Sequence, residues 1–193
     1  MLKHLFFLLC LTSYSVMSAP EVVFETTQGN FTLELDAEKA PVTVENFLRY
    51  VEDGSYVGSI FHRVIPGFMV QGGGFNSQMN RLKSYAPIKN EASNGLKNLT
   101  ATIAMARTQN PDSATRQFYI NLVDNPFLDY GERPPGYAVF GRVTSGFSAI
   151  QAIGKQKTKT TGHMQNVPVK PIVITKVTLL KEKSTPEPQK VAN

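Results

Sequence analysis

The sequence is poor in cysteine and in histidine. Its one cysteine, Cys10, lies in an N-terminal segment that we expect to be removed, so the mature chain is predicted to hold no disulfide. After that removal two histidines remain, His62 and His163, whereas a dedicated zinc site ordinarily needs several Cys or His ligands. We therefore expect neither a metal nor a cofactor, and we expect a packed apolar core to supply the stability.

The sequence also lacks an apolar run long enough to span a membrane as a helix. The apolar stretch at residues 5 to 11 ends at Thr12, whereas a transmembrane helix needs roughly 20 apolar residues. Attachment of a lipid to Cys10 is the alternative, but the bulky Leu9 beside it and the short stretch before it argue against that reading. We predict no stable membrane insertion.

The N-terminal segment instead has the pattern of a secretory signal peptide. Lys3 precedes the apolar stretch, a polar stretch follows it, and the small residues Ser18 and Ala19 lie just before Pro20. We predict that residues 1–19 are removed and that the protein is exported. The periplasm is the expected destination, with secretion as the alternative.

Charge and length indicate one soluble domain. Loss of residues 1–19 removes Lys3 and no acidic residue, which lowers the formal net charge from +5 to +4, so we expect no nucleic-acid partner. No internal repeat is visible, and 193 residues suit a single core. We predict a domain over residues 20–181, an unordered tail over 182–193, where prolines and charges accumulate, and a monomer.

The hydrophobic pattern predicts a mainly β fold. Alternating apolar residues from 22 to 35 indicate a hairpin, and short runs at 60–65, 68–71, 102–106, 118–122, 138–143 and 172–180 indicate further strands. Apolar spacing over residues 41–51 predicts one helix, and Ser145 is expected to cap a second that ends near Gly154. This order favours a closed antiparallel eight-stranded β-barrel capped by two short α-helices, with a β-sandwich as the alternative.

Residues 61 to 75, FHRVIPGFMVQGGGF, are the densest run of chemically informative side chains. A tight turn at Pro66 and Gly67 would place Arg63, an amide and two large apolar side chains on adjacent strands. The glycines could instead suggest a phosphate-binding loop, but Phe75 follows them where Lys-Ser or Lys-Thr would be needed. Taken alone, Arg63 would be interpreted as a surface charge.

This stretch does not stand alone, and together with four others it resembles the cyclophilins, a family of prolyl cis/trans isomerases. The others are TIAMAR at 102–107, SATRQFYIN at 113–121, FLD at 127–129 and YAVFG at 137–141, in the family's order and spacing. The similarity spans residues 22 to 180. Residues 104–108 and 136–141 resemble in particular the exported bacterial branch of the family.

The resemblance implies an enzyme that rotates an X-Pro bond without making or breaking a covalent bond. The barrier is ~18–20 kcal/mol because twisting the bond removes amide resonance. The twisted prolyl nitrogen regains a lone pair, so a donor aimed at it binds the transition state better than either ground state. A guanidinium suits this role because it is always protonated.

The site residues that the resemblance implies fall into three groups. Arg63 matches the catalytic arginine, and Gln71 matches the glutamine that binds the substrate backbone and orients that arginine. The proline pocket is implied to comprise Phe68, Met69, Tyr119 and Leu128. The flanking groove is implied to comprise Ala106, Arg107 and Gln117, with Phe127 and Tyr137 also at the site.

Three residues depart from the family's common pattern. Phe127 stands where many eukaryotic members have tryptophan, so we predict weak binding of cyclosporin, which would lose an indole donor. Tyr119 stands where phenylalanine is usual, and its hydroxyl is expected to need a partner or access to water. Tyr137 stands where histidine is common. His62, beside Arg63, is expected to be a structural hydrogen-bonder, because the reaction transfers no proton.

The resemblance implies that proline-containing polypeptides, exported proteins in the course of folding, are the partners. The alternative is a peptide-binding chaperone or scaffold that uses the same groove without important turnover. The intact pair of Arg63 and Gln71 favours the enzyme, because a purely binding relative would be expected to lose the arginine.

Overall fold

A computed structural model describes residues 19–132 and 134–180 of the chain. The strands are β1 (Glu21–Thr26), β2 (Gly29–Leu35), β3 (Ser59–Ile65), β4 (Met69–Asn76), β5 (Thr102–Met105), β6 (Phe118–Asn121), β7 (Val139–Ser145), β8 (Thr158–Thr161), β9 (Met164–Pro168) and β10 (Ile174–Leu180). The helices are α1 (Pro41–Glu52) and α2 (Phe147–Gly154). The predicted signal peptide, apart from Ala19, and the predicted tail lie outside the described residues. No helix within the described ranges is long and apolar enough to cross a membrane.

Eight of the strands form one antiparallel sheet in the order β10-β1-β2-β7-β5-β6-β4-β3. A mainly β fold with two helices is therefore confirmed, but the predicted closed barrel is wrong: the sheet curls through 245° as a half-barrel. No continuous ladder joins the edge strands β3 and β10 among the described residues. Ile60 of β3 forms an isolated bridge with Val173, which directly precedes β10, and Gly58 N–H donates to Ile174 O at 2.8 Å. Apolar alternation is the same in an open and a closed sheet, so the pattern could not have revealed the difference.

The concave face of the sheet holds an aromatic core. Phe24, Phe47, Tyr56 and Phe118 are fully buried there, and neighbouring rings lie 5.2 to 6.1 Å apart in tilted or edge-on arrangements. The alternation of β1, in which every second residue is buried, places one row of its side chains in this core. With no cysteine in the described residues, this packing carries the stability that a disulfide supplies in many small exported domains.

The N-terminus of helix α1 is capped by a residue far away in the sequence. Pro41 occupies its first turn, where a missing N–H costs nothing. No side chain of the helix caps its N-terminus. Instead the carboxylate of Glu91 accepts hydrogen bonds from the backbone N–H groups of Val42 and Thr43, at 3.1 and 2.8 Å, and from the Thr43 hydroxyl at 2.6 Å.

In the C-terminal third, one local prediction is wrong and one element was missed. Ser145 ends β7 and does not cap α2, whose N-cap is Gly146 with a φ of 76° and no side-chain hydrogen bond. Phe31 Cα and Asn30 O lie so close to Gly146 that a β-carbon there would clash with the backbone, which explains the glycine. The segment after α2, moreover, forms the separate two-stranded hairpin β8-β9, which the sequence pattern did not predict.

A second, smaller apolar cluster lies on the outer face of the sheet. It consists of Met69, Ala104, Tyr119, Leu128 and Val139, all buried. In β6, Phe118 and Ile120 point into the main core, while Tyr119 between them points outward into this cluster. The segments around residues 96 and 128 cover it. The candidate site is built on this outer face.

Candidate active site

Strand register brings the predicted site residues side by side. Arg63 of β3 is paired with Gln71 of β4, and Gln71 is paired with Tyr119 of β6. Tyr119 in turn is opposite Ala104 of β5. Paired residues in antiparallel strands project from the same face, so one row of side chains runs across four strands of the outer face.

This row opens into a cavity of about 310 Å³. The cavity is lined by ten residues, all of which were predicted at the site: Arg63, Phe68, Met69, Gln71, Ala106, Arg107, Tyr119, Phe127, Leu128 and Tyr137. Gln117 is the one predicted residue that is absent from the lining, and it lies behind Gln71 instead. A larger cavity, of about 390 Å³ and bordered by Glu34, Lys97 and Arg142, contains none of the predicted residues.

Arg63 and Gln71 form the polar part of the cavity wall, and Gln117 extends the line of polar side chains beyond the lining. Arg63 Nη1 donates to Gln71 Oε1 over 3.4 Å, and Gln71 Nε2 donates to Gln117 Oε1 over 2.9 Å. The two contacts use opposite ends of the Gln71 amide, so they fix its orientation. The carboxamide oxygen is thereby turned toward the guanidinium.

The opposite side of the cavity is apolar. Met69, Tyr119 and Leu128 are buried beneath it. The ring of Phe68 stacks on that of Phe127 at a centroid distance of 5.6 Å, and Phe127 is half exposed at the rim. An apolar floor beside a cation and an amide suits a small, nonpolar ring that carries a peptide group.

Arg107 contributes to the cavity wall, but its donors are directed at the protein. Its Nε and Nη2 donate to the Gly136 carbonyl at 3.0 and 2.8 Å, and Nη1 donates to Thr108 O at 2.9 Å. The guanidinium also lies 4.2 Å from the centroid of the Tyr137 ring, a favourable cation–π arrangement. Arg107 therefore holds the segment that carries Tyr137 against the cavity.

The Tyr119 hydroxyl points away from the cavity and has a partner that the sequence did not reveal. It donates to Asn98 Oδ1 over 2.7 Å, and Asn98 is buried. Burial raises the pKa of Tyr119 well above its ordinary value, so the hydroxyl remains a donor at neutral pH. The Tyr119 ring, rather than its hydroxyl, faces the site.

Asn98 belongs to a buried polar network beneath the site, with Asn121, Asn125 and Asp129. Asn125 Nδ2 donates to Asn121 Oδ1 at 2.8 Å and to the Phe68 carbonyl at 3.1 Å. Sequence reasoning missed these residues as parts of the site. Asp129 was within a recognised motif, but nothing in the local pattern indicated that its carboxylate is directed at Asn98, 31 positions earlier.

His62 does not take part in the site as a proton donor or acceptor. Burial lowers its pKa to about 4, so it is neutral at pH 7, and its ring packs on Phe75 at 4.7 Å. Its Nδ1 is buried without a hydrogen-bond partner among the described residues. Hydrogen bonds with the Ile60 backbone and the Gln117 side chain act against the effect of burial on its pKa.

Comparisons with known proteins agree with this geometry. The family model described as "Cyclophilin type peptidyl-prolyl cis-trans isomerase/CLD" matches residues 21–179. The chain is 52% identical over 170 residues to peptidyl-prolyl cis-trans isomerase A of Dickeya dadantii, covering 88% of this chain and 90% of that protein. It is 48% identical over 161 residues to peptidyl-prolyl cis-trans isomerase B of Escherichia coli, covering 82% and 98%.

A solved structure shares the fold at lower sequence identity. A cyclophilin-type peptidyl-prolyl cis-trans isomerase of Cryptosporidium parvum superposes with a TM-score of 0.71 at 23% identity, covering 85% of this chain and 99% of that one. The family match over most of the chain and the relatives at about half identity carry the assignment. The chain belongs to the cyclophilin family and is a peptidyl-prolyl cis-trans isomerase.

Proposed function

We propose that Arg63 is the catalytic residue and that the cavity beside it seats the proline ring of a substrate polypeptide. The observation that carries this proposal is the position of Arg63 at the edge of a cavity whose other side is apolar. The proline ring would lie over Met69, Tyr119 and Leu128. The guanidinium would donate to the prolyl nitrogen as the preceding carbonyl rotates and the nitrogen becomes an acceptor.

Gln71 has two roles in this proposal. Its Oε1 holds the Arg63 guanidinium over the cavity through the 3.4 Å contact. It also lies beside the path of the substrate backbone, where its amide is able to bind a peptide group. Gln117 acts through Gln71 and is therefore a positioning residue rather than a catalytic one.

The test is isomerisation of a short X-Pro peptide by wild type and Arg63→Ala. Loss of one donor to the transition state should lower kcat by about 100-fold, while peptide binding changes little. Arg63→Lys should give an intermediate value, because an ammonium keeps the charge but not the fixed donors. Arg142→Ala is the matched control, since Arg142 is exposed and pairs with Glu34 at 2.8 Å outside the cavity.

The alternative is a proline-binding chaperone or scaffold without important turnover. Wild type that binds the peptide yet gives no rate above the spontaneous one would establish that alternative. An Arg63→Ala variant with the kcat of wild type would show that the protein is an isomerase in which Arg63 is not the catalytic residue.

We further propose that the clients are exported proteins folding outside the cytoplasm, with the periplasm as the expected compartment. The support is the pattern of residues 1–19, with Lys3 before an apolar stretch and Ala19 before Pro20. Expression of the full chain in a Gram-negative host should yield a product in the periplasmic fraction. Its intact mass should equal that of a chain that starts at Pro20. A product that keeps residues 1–19 in the cytoplasmic fraction would contradict export.

The proposed natural partners are proline-containing polypeptides. A solved cyclophilin of Cryptosporidium parvum is described in the presence of the dipeptide Ala-Pro, which supports the choice of a proline peptide as the probe. We propose that the protein acts as a monomer without nucleic acid, which light scattering on the purified protein and titration with an oligonucleotide would check.

A further inference from the structure

We infer that Asn98 is a positioning residue for the proline pocket: it ties the pocket floor, Tyr119, to the wall segment that carries Leu128. The inference rests on the proposed function of the cavity, and it concerns a residue that does not line the cavity. Asn98 lies in the segment before β5, is 1% exposed, and has all four of its polar groups bonded within the protein.

The first link runs from Asn98 to the floor of the pocket. Asn98 Oδ1 accepts the hydrogen bond from the Tyr119 hydroxyl at 2.7 Å and a longer one from Asn121 Nδ2 at 3.3 Å. The Tyr119 ring is therefore held at both ends, by its backbone in β6 and by its hydroxyl. A ring fixed in this way presents one surface to the cavity.

The second link runs from Asn98 to the wall. Its backbone N–H and its Nδ2 both donate to Asp129 Oδ1, at 2.7 and 3.0 Å. Its carbonyl accepts from the backbone N–H of Asn125 at 2.7 Å. Asn125 and Asp129 flank the short 3-10 turn Pro126–Leu128, so Asn98 grips both ends of the segment that presents Phe127 and Leu128 to the cavity.

Burial makes these links strong and makes their loss costly. Asn98, Tyr119 and Asp129 are each at most 5% exposed, so water cannot readily replace a missing partner. The one cation near Asp129 among the described residues is the exposed Lys97, whose Nζ lies 3.7 Å from Oδ2. The donors from Asn98 are therefore the main bonds to the Asp129 carboxylate.

A positioning role for Asn98 predicts a particular kinetic result. A pocket holds the proline ring in the ground state and in the transition state alike, so a disordered pocket weakens both equally and raises KM. Asn98→Ala should raise KM about tenfold and leave kcat within about threefold of wild type. Arg63→Ala should do the reverse, so failure of the proposed function and failure of this inference are distinguishable.

The control is Asn94→Ala. Asn94 lies in the same covering segment, and its side chain donates to the Val139 carbonyl at 2.9 Å and accepts from the Leu96 N–H at 3.0 Å. Neither partner lines the cavity. It should lose some stability and keep the wild-type KM. Tyr119→Phe removes only the hydroxyl and leaves the Asn98–Asp129 link in place, so the loss of one hydrogen bond should raise KM by about threefold.

A double-mutant cycle tests whether Asn98 acts through Asp129. If both residues serve one link, Asn98→Ala in the Asp129→Ala background should raise KM much less than it does in wild type. Effects that multiply would overturn the inference, as would a folded Asn98→Ala variant with wild-type KM. Circular dichroism checks whether Asn98→Ala folds. If it does not, Asn98→Ser and Tyr119→Phe are measured in its place. A wild-type KM in both of these variants would overturn the inference.

Discussion

Gln71 donates through Nε2 to Gln117 Oε1 over 2.9 Å, and this contact decides how the amide next to Arg63 is turned. Catalysis of X-Pro rotation needs a hydrogen-bond donor that is held at a fixed position beside the prolyl nitrogen. A loosely held guanidinium would stabilise the transition state less, because ordering it costs free energy. The pairing therefore links a residue outside the cavity lining to the proposed chemistry.

Gly74→Ala should disturb this pairing without unfolding the protein. A β-carbon at Gly74 would lie 2.6 Å from Cγ and Cδ of Gln117 and 2.9 Å from its Nε2. These atoms belong to a flexible side chain, which can swing away and leave Gln71 without its acceptor. We expect kcat to fall by about tenfold while the melting temperature changes little.

Gly73→Ala is the contrasting variant for that experiment. Its β-carbon would lie 2.9 Å from the Arg116 carbonyl, and Gly73 has a φ of +85°, so the substitution strains the backbone. It should lower the melting temperature clearly. A Gly74→Ala variant with wild-type kcat would show that Gln117 does not orient Gln71.

Stability should depend on pH through His62. Burial lowers its pKa from 6.5 in the unfolded chain to about 4 in the folded protein. Between these values the unfolded chain binds the proton and the folded protein does not, so stability is complete above pH 6.5 and falls as the pH drops toward 4. The loss amounts to about 3 kcal/mol at most.

Urea unfolding at pH 7, 5.5 and 4.5 measures this dependence, and His62→Gln serves as the comparison. The difference between wild type and variant in the pH slope isolates the histidine from the carboxylates that titrate at lower pH. An identical slope in both proteins would contradict a buried neutral His62.

Glu91→Ala should destabilise helix α1. The substitution removes the acceptor for two backbone N–H groups and for the Thr43 hydroxyl, a loss of about 1–2 kcal/mol. Glu45→Ala, an exposed change on the same helix, should be near neutral. Thermal unfolding of the two variants checks the comparison, and equal melting temperatures would show that Glu91 does not cap the helix.

Cyclosporin should bind weakly because Phe127 offers no indole N–H at the rim of the cavity. Phe127 stacks on Phe68 and is half exposed, so it has room to be replaced by a larger ring. Phe127→Trp should strengthen binding by about tenfold, the worth of one hydrogen bond. Calorimetry measures both affinities, and a nanomolar dissociation constant for wild type would refute the prediction.

The sequence by itself determined the local parts of the site. Residues 61 to 75 form two strands joined by a tight turn, so their order in the chain places Arg63 opposite Gln71. The resemblance to the cyclophilins implied the roles of these two residues. Helix α1 was predicted at residues 41–51 and observed at Pro41–Glu52, because a 3.6-residue apolar period is a property of the segment itself.

Tertiary structure alone decided which distant residues complete that site. Tyr119 and its acceptor Asn98 are 21 positions apart, and Glu91 and the α1 N-terminus that it caps are 49 positions apart. The closure of the sheet likewise depends on strands from opposite ends of the domain. Asparagine and glutamate are common on surfaces, so their patterns in the sequence carry no sign of a buried partner. Such hydrogen bonds become obligatory only once packing has excluded water from the groups that make them.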